Sequence, residues 1–473
     1  MSTIDYTNKF FKERTPIFIV VLIYLIVKIL FFNAGMFWDS ITILSKPATY
    51  LYENGIFNFH YPSNYDNGDP QLVPFYIALI WKIFGRTLFI THLAFIPITV
   101  LILIQLKTLV SKIFSKAIAP YVFLLVCLDP TLMSQSLGIF QDSFLILFSI
   151  FIMNALLDKN KVKTMIFMLI LCCVSRRGML LTSGFMLANF IYLIVSENNS
   201  FLKTVKNIAI IYFPAVLFVM SFIAWRLSVY NWFFTTNQTN TGEFVNLFGL
   251  FKNSLILVRW FVDDGRIFLW IIFAILIIRN TNKSKFFSQN KFVSVTFISL
   301  IIIMMCVTLP IANPFGARYF VVHFLVFGLL VSKLITTMFE DKKVKRILTL
   351  MSILLFSGNF WIYPEKLSQS WDSSLAHLSY FNLRNQTISF FEKNKIDFQS
   401  VGVGFPMYAK FNFIDIKADN RNFESVDFKQ NKWIVYSNVF NFKDKDIEEV
   451  NTWILTKEFK QGNVFIKIYK RPN

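Results

Sequence analysis

Charged residues are scarce in this chain. Asp, Glu, Lys and Arg make up 16% of its 473 residues, whereas about 25% is usual in soluble proteins. Hydrophobic residues make up 55%, and the mean hydropathy is positive, at +0.53. This composition excludes a single water-soluble globule and indicates a protein that has lipid as part of its solvent.

Cysteine and histidine are also rare, with four of each. The cysteines all lie in apolar runs and show neither metal-ligand spacing nor a disulfide framework, so they are predicted to be small buried side chains. The histidines form no zinc motif, and the scattered glycines form no phosphate-binding loop. Nor does the chain contain an internal repeat or a low-complexity tract.

Acidic residues are outnumbered 28 to 47 by Lys and Arg, which gives a net charge of +19. The basic excess lies in short clusters between apolar runs, whereas the tail from Glu365 onward mixes both signs almost evenly. This distribution is typical of membrane topology, and it argues against a nucleic-acid partner.

The apolar runs predict an all-α polytopic membrane protein with about eleven transmembrane helices. Several runs are shorter than the roughly 20 residues of a full crossing, so those helices are expected to end beside a water-filled cavity. The runs are Ile17–Phe32, Thr87–Leu106, Ala117–Leu128, Phe140–Leu157, Thr164–Val174, Met179–Val195, Ile208–Trp225, Ile267–Ile278, Phe292–Leu309, Tyr319–Met338 and Ile347–Tyr363.

With eleven spans, every basic cluster falls on one side of the membrane, and the positive-inside rule then places the N-terminus in the cytoplasm. Residues 1–363 form the membrane domain, in which 34–86 is a first outer loop with helices lying at the interface. Residues 364–473 are predicted to be a small soluble α/β domain on the outer, periplasmic face. Its helices are expected at Ser373–Lys395 and Asp446–Lys460.

Two carboxylates stand at the outer ends of apolar runs. Asp39 follows the first span, and Asp142 opens the fourth run. A carboxylate beside an apolar slab is partly desolvated, which suits a general base, and an intramembrane carboxylate is functional by default. The alternative for each is an ordinary cap at the start of a helix.

Arginines stand at the same level. Arg176, Arg177 and Arg318, the last followed by Tyr319, could clamp a phosphate through paired N–H groups, or could simply reach lipid headgroups. Some polar residues of the first loop are candidates for acceptor contacts or metal ligands, although a solvated loop would also explain them: Glu53, His60, Asp66 and Asp69. Asp263-Asp264-Gly265-Arg266 is expected to be a turn with a cap.

The order of these motifs resembles the GT-C superfamily of membrane glycosyltransferases, in particular its protein O-mannosyltransferase-like and aminoarabinose-transferase-like branch. The resemblance covers about 17–347 and includes the Asp after the first span and Arg318-Tyr319 at a late span. It also includes Asp69-Pro70 running to Lys82-Ile83-Phe84-Gly85, and Asp129-Pro130 followed by Gln141-Asp142. A proline pair usual in that branch is here Pro70-Gln71, and Asp69 stands where some relatives carry Lys or His.

The resemblance implies an inverting transfer of a sugar from a polyprenyl-phosphate donor to a hydroxyl of a lipid, glycan or protein. Asp39 would accept the hydroxyl proton, with Asp142 also in the site, and Arg176, Arg177 or Arg318 would stabilise the departing phosphate. The inner (plasma) membrane is the implied location. No cofactor is identified, and a divalent metal is left open.

Two other classes of protein compete with this hypothesis. A transporter or flippase of lipid-linked glycans would also need outward arginines and intramembrane carboxylates, but would be expected to contain repeats. An O-antigen-polymerase-like enzyme would place its key residues in a large late outer loop, and the Arg226–Lys252 loop has a single acid, Glu243.

Overall fold

The computed structural model of the chain describes residues 3–197, 200–233, 243–279, 290–312, 315–365 and 367–472. Part of the Arg226–Lys252 loop, the basic residues Lys283 and Lys285, and Asn313-Pro314 ahead of Arg318 lie outside the described residues. The membrane domain contains α1 Thr3–Phe31, α2 Lys46–Asn54, α3 Leu72–Phe84, α4 Leu88–Ile113, α5 Ala119–Cys127, α6 Pro130–Leu137, α7 Asp142–Leu157, α8 Lys161–Val174, α9 Arg176–Glu197, α10 Phe201–Tyr230, α11 Leu247–Val262, α12 Ile267–Arg279, α13 Lys291–Thr308, α14 Val321–Met338 and α15 Asp341–Ser357.

Six of the described helices are long and apolar enough to cross a membrane, so the chain is a membrane protein. The spans are Arg14–Phe31, Leu88–Ile113, Arg176–Val195, Phe201–Tyr230, Lys291–Thr308 and Ala317–Met338. The predicted count of eleven is not confirmed. The remaining predicted runs form shorter helices, such as α5 with 9 residues and α8 with 14.

A seventh span arises if α6 and α7 are counted together, because the pair is apolar enough but bends by 111° at its break. The break is built from local signals. Asp129 caps α6 by accepting hydrogen bonds from the Thr131 and Leu132 backbone N–H groups, and Pro130 follows it at the first helical position. The last residue of the break, Gln141, is followed by Asp142, where α7 begins.

Exposed apolar side chains mark the faces turned to lipid. On α1, Phe18, Leu22, Leu25 and Ile29 recur at helical spacing and are each more than half exposed. Leaving such side chains in water would forfeit about 1.5–3 kcal/mol apiece, so this face belongs in the bilayer. The span Ala317–Met338 is the most buried of the six and forms the centre of the helix bundle.

Residues 34–86, which the sequence analysis predicted to be a first outer loop, contain helical segments. A π-helical turn at Ser40–Ser45 leads into α2, and α3 is followed by Gly85, which adopts φ +92°. The loop packs on the C-terminal domain, since the Met36 N–H donates to the Ile414 carbonyl at 2.8 Å.

The C-terminal domain is small and mixed, as predicted. Its helices are α16 Leu378–Lys393, α17 Phe411–Ile414 and α18 Asp444–Val450, and its strands are β1 Val401–Val403, β2 Glu424–Ser425, β3 Trp433–Ser437, β4 Ile454–Gln461 and β5 Val464–Lys470. The strand order is β2-β1-β3-β5-β4. β1 runs parallel to both its neighbours, whereas β5 is antiparallel to β3 and β4.

The predicted helix Asp446–Lys460 is wrong over its second half. The helix ends at Val450, and Ile454–Gln461 forms an edge strand paired with β5. Its charged residues suggested the solvated face of a helix, but they lie on a strand that is exposed along nearly all its length. The tight turn at Gly462, with φ +60°, closes this hairpin.

Candidate functional site

Asp39 lies where the chain leaves the first span. It stands at the N-cap position of the Ser40–Ser45 turn, yet its side chain makes no capping hydrogen bond. The carboxylate instead contacts the guanidinium of Arg318, and it is 36% exposed. The preceding residue, Trp38, has φ +48°, a conformation that is costly for a non-glycine residue and is found disproportionately at functional sites.

Asp142 begins α7 and is fully buried. Arg177 binds it in a two-pronged contact, in which Nη1 pairs with Oδ1 and Nη2 donates to Oδ2 at 3.0 Å. Arg318 Nη1 approaches the same Oδ2 at 3.7 Å. A buried carboxylate between two guanidiniums is charge-compensated, which is the condition for burying it at all.

Arg177 reaches this position because α9 starts very close to α8. A Cβ added at Gly178 would lie 2.0 Å from the Leu171 carbonyl oxygen, so only glycine allows the two helices to approach this closely. The ring of Tyr319 lies beneath both arginines, 4.5 Å from the Arg177 guanidinium carbon and 5.4 Å from that of Arg318.

Arg318 is the centre of the cluster and is only 5% exposed. It comes from the 3-10 turn Ala317–Phe320 that precedes α14. Besides Asp39 and Asp142, its guanidinium binds a third carboxylate, Asp372, with 3.1 Å between Nε and Oδ2. Four segments far apart in sequence therefore meet at one guanidinium.

Hydrogen bonds between segments hold this arrangement. Ser40 Oγ donates to the Ile139 carbonyl at 2.7 Å, which ties the Asp39 turn to the α6–α7 break. Gln141 Nε2 donates to the Val174 carbonyl at 2.7 Å, which ties that break to the turn ahead of Arg177. Each bond joins a side chain beside a site residue to the backbone of another segment.

The segment that carries Asp372 is tied in the same way. The Ala317 N–H donates to Ser370 Oγ at 3.2 Å, and the Asp372 carbonyl accepts from Ser134 Oγ at 2.9 Å and Gln135 Nε2 at 2.6 Å. The Asp372 backbone is therefore held against both α6 and the Arg318 turn.

Sequence reasoning missed Asp372. It lies just ahead of the predicted helical stretch Ser373–Lys395, where a carboxylate among serines suggests only the start of a soluble domain. Burial raises the pKa of its carboxyl. Arg318 opposes that shift, and the nearby carboxylates Asp39 and Asp142 add to it. Nothing in the sequence around Asp372 predicts a role for it, because the residues that it contacts, such as Ser134 and Arg318, belong to the membrane domain.

Arg176 faces away from Arg177, towards the first outer loop. Its backbone N–H and its Nε both donate to Asp69 Oδ1 at 3.1 Å, and it also bonds the carbonyls of Asn67 and Phe233. Arg176 and Asp69 therefore form a pair beside the Arg318 cluster. Asp66 pairs with a different arginine, Arg226, through two bonds of 2.8 and 2.7 Å.

The other candidates of the first loop lie apart from the cluster. Glu53 and His60 are exposed, and the His60 ring stacks on Tyr230 at 5.7 Å. Within the described parts of the chain, no group of three or more His, Cys, Asp or Glu side chains is arranged to hold a metal ion. Glu53, His60 and Asp69 therefore do not converge on a metal site there.

Another buried arginine, Arg266, lies in the segment Asp263–Arg266, which forms a turn as predicted. Arg266 binds Asp129 at 2.9 Å and approaches Asp264 at 3.5 Å. Its guanidinium carbon lies 3.8 Å from the centre of the Phe324 ring. The sequence pattern predicted a turn with a cap here, whereas the structure has a buried ion cluster.

The fold of the chain is similar to that of a protein of known structure. The chain resembles the crystal structure of ArnT from Cupriavidus metallidurans bound to undecaprenyl phosphate, with a TM-score of 0.55 and 10% identity over 96% of this chain and 98% of that one. The apo structure of the same protein gives a TM-score of 0.51 and 11% identity, over 96% and 97% of the two chains. No family model matches the chain, and no curated protein matches it either.

ArnT is an aminoarabinose transferase with a GT-C architecture. The resemblance predicted from Asp39, Asp142 and Arg318-Tyr319 is thus confirmed at the level of the fold. At such low identity the likeness extends to the fold alone and assigns no role to any side chain.

Proposed function

We propose that the chain is a membrane glycosyltransferase that moves a sugar from a polyprenyl-phosphate donor to a hydroxyl of an acceptor. The observation that carries the proposal is the meeting of Asp39, Asp142, Arg177 and Arg318 at one end of the helix bundle. The fold adds support, because a structure of similar fold binds undecaprenyl phosphate.

Asp39 is the carboxylate suited to act as the general base. It is the most exposed of the three that surround Arg318, so an acceptor hydroxyl can reach it. The hydroxyl oxygen attacks the anomeric carbon as Asp39 takes its proton, and the bond from that carbon to the phosphate oxygen breaks. Attack from the face opposite the phosphate inverts the anomeric configuration.

The departing polyprenyl phosphate keeps the bonding electrons and needs cationic stabilisation but no strong acid. Arg177 and Arg318 supply two guanidiniums side by side, and the Tyr319 ring lies beneath both. Arg318 already contacts Asp39, so a phosphate oxygen that takes this guanidinium also releases the base. Binding of the donor and readiness of Asp39 are thereby coupled.

The remaining assignments follow from the sequence. Positive-inside clustering supports a cytoplasmic N-terminus, with the site and the C-terminal domain on the periplasmic face of the inner (plasma) membrane. A lipid-linked donor would then enter sideways from the bilayer. Arg176 and Asp69 lie on the side of the first outer loop, where an acceptor glycan, lipid or protein would approach.

A transporter of lipid-linked glycans is the second candidate. The 111° break between α6 and α7 is the observation in its favour, since broken helices line the substrate sites of many transporters. The two candidates differ in chemistry, because a transporter leaves the sugar–phosphate bond intact.

The Asp39→Asn variant tests the proposal. Asparagine keeps the shape but cannot take a proton, so transfer from a polyprenyl-phosphate sugar should fall about 10²–10⁴-fold while binding of the donor persists. Release of polyprenyl phosphate and formation of the glycosylated acceptor are followed in proteoliposomes. Asp158→Asn serves as the control, because Asp158 follows the opposite end of α7 from Asp142 and pairs with Lys112 there.

Turnover retained in Asp39→Asn would remove Asp39 as the base. Movement of the donor across the bilayer without cleavage of its sugar–phosphate bond would favour the transporter.

A further inference from the structure

The cluster around Arg318 carries more negative than positive charge. Three carboxylates, Asp39, Asp142 and Asp372, face two guanidiniums, Arg177 and Arg318, which leaves one net negative charge. A phosphodiester brings another negative charge into a site largely shielded from water, where like charges repel strongly. Unless one of the three negative charges is removed, the carboxylates repel the phosphate that the arginines attract.

Asp372 is the least stabilised of the three in its charged form. Asp142 contacts both guanidiniums, and Asp39 is open to water. Asp372 has one guanidinium nitrogen at 3.1 Å and one hydroxyl donor, Ser370 Oγ, at 3.3 Å, and its side chain is only 11% exposed. The charged groups that face it from the described neighbouring segments are Arg318, Asp39 and Asp142.

The backbone around Asp372 is held against the site. Its backbone carbonyl is held by Ser134 and Gln135 of α6, and the adjoining Ser370 is held by the Ala317 N–H. Taking up a proton is the remaining way to remove its charge.

We propose that Asp372, contributed by the segment that leads into the C-terminal domain, is a positioning residue that fixes Arg318 and takes up one proton when the phosphate of a polyprenyl phosphodiester binds. This inference rests on the proposed function, since it assumes that such a donor occupies the site. It makes the C-terminal segment part of the phosphate site and not merely a surface for the acceptor.

Binding of a non-titrating probe tests the proton uptake. A synthetic polyprenyl methyl phosphate carries one fixed negative charge, and its affinity for the full-length protein in nanodiscs is measured from pH 5 to pH 9. Wild-type binding should weaken by up to about tenfold per pH unit where one proton is taken up. Asp372→Asn mimics the protonated carboxyl, so its affinity should not vary with pH and should exceed that of the wild type at high pH.

Asp415→Asn is the matched control. Asp415 forms a comparable pair with Arg384 in the C-terminal domain, through two bonds of 2.9 and 3.0 Å. This variant should keep the wild-type pH slope. A purely structural Asp372 would behave differently, because its asparagine variant would weaken binding equally at every pH.

Thermal unfolding without ligand tests the role of Asp372 separately from the proposed donor. Because burial raises the pKa of Asp372, its contribution to folding stability is present at low pH and is lost as the pH rises through its folded-state pKa. The thermal midpoint of the wild type should therefore fall relative to that of Asp372→Asn as the pH rises. Equal pH slopes would overturn the role of Asp372, whereas failure of the wild type to bind the probe at any pH would overturn the proposed donor.

Discussion

Two buried arginines, Arg318 and Arg266, have similar local surroundings and different access to solvent. Each comes from a turn just ahead of a helix, each binds more than one carboxylate, and each lies near an aromatic ring. Around Arg266 the partners Asp129 and Asp264 are both about 5% exposed. Around Arg318 the partner Asp39 is 36% exposed.

The difference separates a structural cluster from a candidate catalytic one. Both oxygens of the buried Asp129 carboxylate accept hydrogen bonds, from the backbone of α6 and from Arg266. A ligand therefore has little access to this carboxylate. The Arg318 cluster is closed on the side of Asp142 and open on the side of Asp39. Burial of charge alone therefore does not distinguish the two clusters, whereas the accessibility of Asp39 does.

The largest effect on stability is expected at the closed cluster. Asp129→Asn leaves Asp264, at 3.5 Å, as the remaining carboxylate partner of Arg266, and loss of one partner of a buried pair costs about 3–5 kcal/mol. The remaining contact predicts a loss at the lower end of that range. Thermal or denaturant unfolding in detergent measures it, and the transfer rate per folded molecule should stay unchanged. If Asp129→Asn instead lowered the transfer rate without lowering stability, the Arg266 cluster would not be purely structural.

At the open cluster the effect should appear in activity. In Arg318→Lys, one ammonium replaces a planar guanidinium that serves three carboxylates, so orientation of the site and stabilisation of the leaving phosphate are both impaired. A fall in kcat/KM of about 100-fold is expected with the thermal midpoint little changed. Arg266→Lys is the counterpart, with lowered stability and unaltered activity per folded molecule. The same pattern in both variants would contradict the assignment.

The smallest effect concerns Tyr319. Its ring lies beneath both guanidiniums, and cation–π contacts of this kind are worth about 0.5–2 kcal/mol. Tyr319→Leu should therefore weaken donor binding by about 2–30-fold. Tyr319→Phe keeps the ring and should bind the donor as the wild type does. Titration of both variants with the donor decides this, and equal affinities would show that the ring itself contributes nothing.

Much of the membrane domain was predictable because its signals are local. Apolar runs such as Tyr319–Met338 are long enough to define a span by themselves, and caps such as Asp129-Pro130 mark a helix start from neighbouring residues alone. The number of spans was harder to predict, because short runs such as Ala117–Leu128 fold as helices too short to cross by length and composition alone.

The candidate site was predictable only in part. Asp39, Asp142, Arg177 and Arg318 stood out since charges at the ends of apolar runs are costly wherever the chain places them. Asp372 carries no such signal, because it lies in a polar stretch where a carboxylate costs little until folding buries it. Arg176 carried the same signal as Arg177, and only the fold shows that the two side chains pair with different carboxylates.

Hydrophobic composition and the positions of charges are properties of single segments. The amino-acid sequence by itself therefore determined that the chain is a membrane protein and which charged residues are candidates for the site. The partners of the charges around Arg318 are set by contacts between segments 35 to 279 residues apart. Tertiary structure therefore decided that Arg318 has three carboxylates around it, that Arg266 is closed off, and that the segment leading into the C-terminal domain reaches the site.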